Sequence, residues 1–529
     1  MKKFSIVIPV YNMSKTIGNT IASILDNRDY PDKEIIVVLD GRDDDAEKII
    51  KMYKDVKLLS TGDTNKGAPV ARNLGAKEAT GDYLLFLDAD MIIYPGSLTS
   101  WAEAFDEHPE CDFVYSGYKF TQYSAYPSEE FDPYFLQINN YIDGNFPMKR
   151  EIFPGWDESL KSLQDWDMWL TIVEKGHKGY LIPKKFFFEK ELPKEGSISH
   201  GSSLHFLERR EIVQKKHNLP IRDVCLTSFA AVHHARRVAK VLGYDYADWE
   251  MLYNKPYKYK AIYLIGHFPA NAQNNMLPFM DVSKGKLRDD IKRIVHWIGT
   301  DVWQMQYENC SFAVMRDYVN GINSKFTQFC QTDDNNKELT DVGLKVKTLP
   351  LPIDIERKTF PMPKDFTVSI YDHGTNNIYC KSLMNDIIMA MPDIEFRYFG
   401  AEAQPMNWWT GTYHDNLKFL GRLPIDEVIK QTSVLLRISQ HDGYPVSPVE
   451  FVCAGRACIT NQNVPYTFKV GDIKVDQYKL PELRKEIIGK IREIKRDYPK
   501  QQYFDEAVDH FKNIFNPDVL RAEIEKVIQ

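Results

Sequence analysis

The chain has no apolar run approaching the roughly 20 residues needed to cross a bilayer, which excludes a helical membrane span. Its start, Met1-Lys2-Lys3-Phe4, leads into a strand-like segment without the apolar stretch and small-residue cleavage site of a signal peptide. These absences predict a cytoplasmic protein, with contact at the inner face of a membrane left open. No CxxC pair occurs. The seven cysteines, Cys111, Cys225, Cys310, Cys330, Cys380, Cys453 and Cys458, are odd in number and scattered, which argues against a disulfide framework or a zinc site and for reduced thiols. Positive charge is not in excess either: the net charge of −7 gives no global attraction to a polyanion and argues against nucleic acid as a partner.

What is present is ordinary globular material. With 529 residues the chain exceeds the size of one hydrophobic core, so two or more domains of roughly 200 to 270 residues each are expected. The first hundred residues alternate β-prone apolar runs, Phe4 to Val10, Glu34 to Leu39 and Tyr83 to Leu87, with amphipathic stretches from Lys15 to Leu25 and from Ala46 to Tyr53. That alternation predicts an α/β fold with a mostly parallel, doubly wound sheet. Ligands of such sheets sit beyond the carboxyl ends of the strands, so Pro9 to Asn12, Asp40 to Asp45 and Asp88 to Asp90 are the segments to inspect.

From about 201 to 257 the pattern turns charged and helical and predicts a helical connector. Strand and helix signals resume at Tyr259, with short buried strands expected at 261–265, 294–298, 345–349, 367–371, 394–399, 434–438 and 457–460. Leu349-Pro350-Leu351-Pro352 is a natural hinge between a short lobe, 258–352, and a second lobe, 353–529, that ends in charged helices.

Asp88-Ala89-Asp90 closes the run Tyr83-Leu84-Leu85-Phe86-Leu87. In an extended chain, residues two apart face the same way, so the two carboxylates can converge on one hard cation. An isolated pair of this kind also simply begins a turn. Its neighbours are more specific: Phe4 to Asn12, Glu34 to Gly41, Asn65-Lys66-Gly67, Ala71-Arg72-Asn73, Gly75 and Gly81-Asp82 precede it in order. Over approximately residues 3 to 200 this series resembles the family 2 glycosyltransferases of the GT-A fold. The resemblance implies a nucleotide-sugar donor, a divalent cation (Mn²⁺ or Mg²⁺) at Asp88 and Asp90, a base contact from Asp40, and a nucleotide pocket lined by Pro9, Tyr11 and Arg72. The family usually carries two acids before the glycine of its second motif, and here the first is Leu39.

The segment Phe153 to Leu170 resembles the acceptor side of the same family, where an acidic pair opens a helix. Here that pair is Gln164-Asp165, which makes Asp165 the candidate general base and Asp167 the fallback. Ser162 three residues before Asp165 offers a competing, purely structural reading as a near capping box. The family often completes its metal site with a histidine before a Gly-Ser-x-Ser stretch. This chain has Lys194 there, and His200, just after Gly196-Ser197-Ile198-Ser199, is the remaining candidate ligand.

A second constellation runs Gln440-His441-Asp442-Gly443-Tyr444-Pro445-Val446-Ser447-Pro448-Val449-Glu450 and on to Ala454-Gly455-Arg456-Ala457. With Asn416 to Gly421 it resembles the donor lobe of GT-B fold, family 4 glycosyltransferases, whose signature is two glutamates separated by seven residues. The resemblance implies Asp442 near the sugar, Glu450 on the donor ribose, and Lys381 neutralising phosphate. Locally, Ser447 as N-cap, Pro448 at the first helical position and Glu450 three residues on read as a capping box, and Gly455 suits the helix exit. The whole chain is thus expected to be a two-module sugar transferase. Its acceptor would be a glycan, glycolipid or glycoprotein, and its second module either transfers with retention or serves binding and assembly.

Overall fold

The computed structural model describes residues 2–41, 45–120, 130–190, 206–228, 231–247, 259–266, 290–299, 302, 312–372, 379–400, 414–421, 423–472, 475–499 and 506–529. They divide into two compact units, Met1–Ile221 and Arg222–Gln529. No described helix is long and apolar enough to cross a membrane.

The first unit is built on one mixed sheet. Its strands are β1 (Phe4–Val10), β2 (Lys33–Leu39), β3 (Val56–Ser60), β4 (Tyr83–Phe86), β5 (Met91–Ile93), β6 (Phe113–Phe120), β7 (Met148–Lys149) and β8 (Gly179–Lys190). The spatial order is β3-β2-β1-β4-β7-β6-β8-β5. The β3-β2-β1-β4 half is parallel, and β7 joins it antiparallel to both β4 and β6. β1 and β2 are apolar over 6–10 and 35–39 because layers cover both faces of a parallel sheet. The helix Ala68–Lys77 lies so close to that sheet that a Cβ at Gly75 would collide with Val7, which accounts for one glycine of the motif series. The chain leaves β1 toward β2 on one side, while β4 lies on the other. The carboxyl ends of β1 and β4 therefore flank a topological switch point, where open α/β sheets bind ligands.

The second unit contains two sheets, each wholly parallel in its pairings. β9 (Val224–Thr227), β10 (Asp245–Tyr246), β11 (Ala261–Ile265), β12 (Lys292–Trp297), β13 (Thr327–Cys330) and β14 (Lys347–Thr348) run in the order β10-β9-β11-β12-β13-β14. β15 (Thr367–Tyr371), β16 (Glu395–Phe399), β17 (Leu417–Gly421), β18 (Val434–Arg437), β19 (Ala457–Thr460) and β20 (Phe468–Lys469) run β17-β16-β15-β18-β19-β20. The latter is the strand order of a dinucleotide-binding fold, with its switch point between β15 and β18.

The expected helical connector at 201–257 is corrected here. Its described helix Phe206–Lys216 belongs to the first unit, whereas β9, the helix Val232–Leu242 and β10 form one edge of the second unit's first sheet. β9 and β10 span only four and two residues, too few for an alternation or an apolar run to stand out. The first lobe is accordingly longer than 258–352. The hinge segment packs rather than hangs free, since Leu351, Ile353 and Ile355 are buried. Fully buried Arg456 also donates to the carbonyls of Pro361 and Ile429. The terminal helix Pro517–Ile528 returns to the first sheet, where Arg521 donates to the last carbonyls of the helix Val232–Leu242, Val241 O at 2.6 Å and Leu242 O at 2.9 Å.

Ionic clusters brace the first unit. Glu34 accepts from Ser5 Oγ, Thr80 N and Lys3 Nζ. Burial alone would raise its pKa, but these donors hold it down to about 2. Around the helix Gln164–Glu174, His217 Nε2 lies 2.8 Å from Asp167 Oδ1 and Nδ1 lies 2.8 Å from Glu174 Oε1. Lys216 Nζ reaches Asp157 at 2.6 Å and Asp167 Oδ2 at 2.9 Å. Burial opposes the charged imidazole, yet the two carboxylates raise the His217 pKa overall.

A raised histidine pKa stabilises fully below the unfolded value of 6.5, and the contribution fades as pH rises through the folded value. Thermal melts should therefore show His217→Gln less stable than the wild type in mild acid, with the gap narrowing toward alkaline pH; a gap constant with pH would contradict the assignment. Glu34 has the opposite sign, since its stabilisation is present above 4.5 and lost as pH falls through about 2. Glu34→Gln should lower the melting temperature at neutral pH and converge on the wild type in strong acid, as followed by circular dichroism.

Candidate functional site

At the carboxyl end of β4, Leu87 N continues the ladder to Val7 O at 3.0 Å, and the chain then turns, Met91 N donating to Asp88 O at 3.2 Å. Ala89 is buried, and its carbonyl accepts from Thr20 Oγ1 at 2.9 Å. Asp88 and Asp90, on either side, are half-buried. The turn therefore places Asp88 and Asp90 just past the carboxyl end of β4, beside the switch point.

Asp88 is tied from two directions. Arg72, on the helix Ala68–Lys77, donates from Nη2 to Asp88 Oδ1 at 2.7 Å, and its Nη1 reaches Gln164 Oε1 at 3.2 Å. The guanidinium lies over the Trp156 ring, 4.6 Å from its centroid. Asn145 accepts from Asp88 N at 2.9 Å, approaches Asp88 Oδ2 at 3.4 Å and is itself held by Asp143. Gly144, between them, packs against Asp165: a Cβ there would lie 3.1 Å from the Asp165 Cβ and from Trp156. Asn73 fixes the same wall, its amide exchanging bonds with Trp156 O at 2.9 Å and Trp156 N at 2.8 Å.

Asp165 opens the helix Gln164–Glu174, half-buried, with one oxygen accepting from Trp166 N at 2.9 Å. Leu163 is the N-cap residue and no side chain caps this helix, so the near capping box with Ser162 does not form. Asp167, the fallback base, is 2% exposed and lies inside the cluster with Lys216 and His217. Its carboxylate is committed to that cluster. Asp165 is thus the helix-opening acid joined to the Asp88 turn, through Gln164 and Arg72 on one side and Gly144 and Asn145 on the other.

Other expected residues fare differently. Tyr11 is exposed and Pro9 half-buried at the end of β1. Asp40 is 2% exposed, and its carboxylate accepts from Thr61 Oγ1 at 2.8 Å, Lys66 N at 2.9 Å and Gly67 N at 2.8 Å. In this arrangement Asp40 shapes the loop before the helix Ala68–Lys77. His200, Lys194 and the Gly-Ser-x-Ser stretch lie outside the described residues. Among the described residues no group of three or more His, Cys, Asp or Glu could hold a metal ion. The sequence reading missed Asn145, Gly144 and Trp156, although Gly144-Asn145 and Gly155-Trp156 carried a signal as small or amide residues beside aromatic ones.

The second unit gathers its candidates at the switch point between β15 and β18. Arg437, at the end of β18, pairs with Asp442 (Nη2 to Oδ2, 2.5 Å) and lies over the rings of Tyr371 and Tyr379, at 4.5 and 5.3 Å from their centroids. Asp442 Oδ1 accepts from Gly443 N at 3.0 Å. Lys381 opens the helix Lys381–Ala390, its Nζ 3.5 Å from Asp372 Oδ2. The capping-box expectation is corrected: the helix spans Val446–Cys453 with Pro445 as N-cap residue and no side-chain cap. Ser447 Oγ accepts instead from Arg437 Nη1 at 3.3 Å, and Glu450 Oε1 accepts from Arg237 Nη1 at 2.8 Å. Burial raises the Glu450 pKa against the pull of Arg237. Gly455 does leave the helix with a positive φ of 71°. The six described cysteines are buried thiols.

Known proteins resemble the first unit. Residues 5–155 match the family model of glycosyl transferase family 2. A poly-beta-1,6-N-acetyl-D-glucosamine synthase of Staphylococcus epidermidis is 35% identical over 113 residues, 21% of this chain and 27% of the synthase. A poly(ribitol-phosphate) beta-N-acetylglucosaminyltransferase, TarS, of Staphylococcus aureus is 35% identical over 113 residues, 20% of each chain. The chain thus spans about a quarter of the length of these relatives. A crystal structure of S. aureus TarS residues 1–349 with UDP-GlcNAc has a TM-score of 0.36 and 22% identity, covering 40% of this chain and 66% of that one. The matched segment contains β1, β2, β4, Arg72 and the Asp88 turn, and the first unit carries a glycosyl transferase family 2 domain over residues 5–155.

Proposed function

We propose that the first unit is a GT-A glycosyltransferase that moves a sugar from a nucleotide diphosphate to a hydroxyl of a glycan, glycolipid or glycoprotein, inverting the anomeric centre. The observation that carries the reading is the Asp88-Ala89-Asp90 turn at a switch point, joined through Arg72 and Gln164 to the helix-opening Asp165, within a family 2 match. Asp165 takes the proton from the attacking hydroxyl. Pro9, Tyr11 and the loop held by Asp40 border the nucleotide side.

A divalent cation fits this donor set on one condition. Two hard carboxylates on a turn, with no third described ligand, suit a cation that completes its shell with diphosphate oxygens and water. When bound, such a cation supplies charge neutralisation for the departing nucleotide diphosphate. Asp88 and Asp90 would hold it, with His200 an open third candidate. The relatives named above are an N-acetylglucosamine polymer synthase and an N-acetylglucosaminyltransferase, so UDP-GlcNAc is the first donor to try.

For the second unit we propose a GT-B-like pair of lobes with a second nucleotide-sugar site, supported by Lys381 and Arg437 at the switch point of a sheet ordered as in dinucleotide-binding folds. A retaining transfer there would involve Asp442 and Glu450. The competing reading, a glycan-binding or assembly module, draws on the arginines that already occupy both acids.

Nucleotide release from UDP, GDP, dTDP and CMP sugars, with and without Mn²⁺, separates these readings. Asp90→Ala should remove metal-dependent release, and Asp165→Asn should lower kcat by about 10²- to 10⁴-fold with donor KM little changed. Transfer that survives Asp90→Ala intact would overturn the assignment of the first unit. If Asp90→Ala abolishes all transfer while Glu450→Ala changes none, the second unit is the binding module.

A further inference from the structure

We infer that Arg72 gates the cation: it holds Asp88 as a provisional counter-ion, so that a divalent ion binds well only when a nucleotide diphosphate arrives with it. The inference rests on the proposed cation site at Asp88 and Asp90 and concerns what controls access to it.

Three observations converge. The Arg72–Asp88 pair, at 2.7 Å, has a side chain only 13% exposed on the arginine side and 36% exposed on the aspartate side. A bare cation approaching Asp88 therefore meets a carboxylate whose charge is already balanced in partly desolvated surroundings, and it must compete with the guanidinium or accept its repulsion. The guanidinium is also anchored independently of Asp88. Nη1 is held by Gln164 Oε1, whose own amide nitrogen donates to Leu160 O at 2.8 Å, and the planar face rests on Trp156. Release of Asp88 thus leaves Arg72 in place rather than free to swing into solvent. Finally, Arg72 Nε is buried without an acceptor. A buried N–H left unmatched is costly, so the guanidinium keeps donor capacity beyond its bonds to Asp88 and Gln164.

A diphosphate meets all three conditions. Its oxygens accept from a guanidinium in fork geometry, which frees Asp88 for the cation while the cation and Arg72 share the phosphate charge. Neither ligand alone does this: a cation alone leaves Arg72 facing another positive charge, and a diphosphate alone leaves two carboxylates facing its own charge. Binding of cation and nucleotide is therefore mutually dependent, and Arg72 is the residue that makes the first half of that dependence strong. Arg72 is a positioning residue in this account.

The test is Mn²⁺ binding to the full chain, followed by electron paramagnetic resonance or calorimetry, alone and with UDP or GDP. Wild type should bind Mn²⁺ weakly alone and much more tightly with one of the nucleotides. Arg72→Gln should bind Mn²⁺ alone more tightly than wild type, on the order of tenfold, because the competing charge is gone. The nucleotide's enhancement should shrink in that variant. Arg72→Lys, which keeps the charge, should restore weak metal-only binding, a result that a general loosening of the site would not give. Thermal melts identify a variant that has lost its fold, in which case Arg72→Lys compared with wild type and Gln164→Ala carries the test: Gln164→Ala, by slackening the anchor, should also raise metal-only affinity. If metal-only affinity is unchanged in Arg72→Gln while wild type still shows nucleotide-dependent Mn²⁺ binding that Asp90→Ala abolishes, the gate is wrong and the cation site stands. If Mn²⁺ binds wild type and Asp90→Ala alike with every nucleotide, the cation site itself is wrong, and the gate falls with it.

Discussion

Parallel strand pairing is the constraint on which the rest of this molecule depends. A parallel pair cannot be closed by a tight turn, so each connection must cross a face of the sheet, and the chain emerges again at the carboxyl ends of the strands. Where successive crossovers go to opposite sides, two loops part and leave a crevice. The first unit places the Asp88 turn at such a crevice beside β1, and the second unit places Arg437, Asp442 and Lys381 at another between β15 and β18. Chemistry-bearing residues gather at these points because backbone there is irregular and its side chains are not consumed by packing.

The two units use charge differently at these crevices. In the first, one guanidinium spans a carboxylate and an amide from distant segments, Asn145 holds Asp88, and Gly144 packs against Asp165. The Asp88 turn and the first turn of the helix Gln164–Glu174 are thereby tied together through Arg72 and Gln164. In the second, each candidate carboxylate has a cationic partner: Asp442 with Arg437, Glu450 with Arg237, Asp372 with Lys381. Removing one member of such a pair strands the other in a poorly solvated place, so these pairs have a structural role whatever else they do.

Asp167 illustrates how a short-range pattern misleads about chemistry. It stands two residues from Asp165 in the first turn of the same helix, and by spacing alone either could serve as base. The fold directs it inward, where His217 and Lys216 neutralise it and pin the helix Phe206–Lys216 to the helix Gln164–Glu174. Ser447 and Glu450 make the same point. Their spacing is that of a capping box, yet the helix begins one residue before the serine, and both side chains answer to arginines elsewhere in the chain.

The sequence by itself determined the alternation of strands and helices, the strand end at which Asp88 and Asp90 sit, the acid in the first turn before Trp166, the close-packed glycine at 75 and the glycine exit at 455. These are local properties, written in apolar periodicity and in residues that a turn or a close approach requires, so a window of a few residues carries them. The tertiary structure alone decided that β9 and β10 are strands, that Asp40 holds a loop, and that Arg72 joins Asp88 to Gln164, 92 residues away along the chain. It also decided that Glu450 meets Arg237, at a separation of 213 residues. Such pairings depend on which loops converge at a crevice and on the need of each buried charge to find a partner there, and neither leaves a mark in the spacing of residues along the chain.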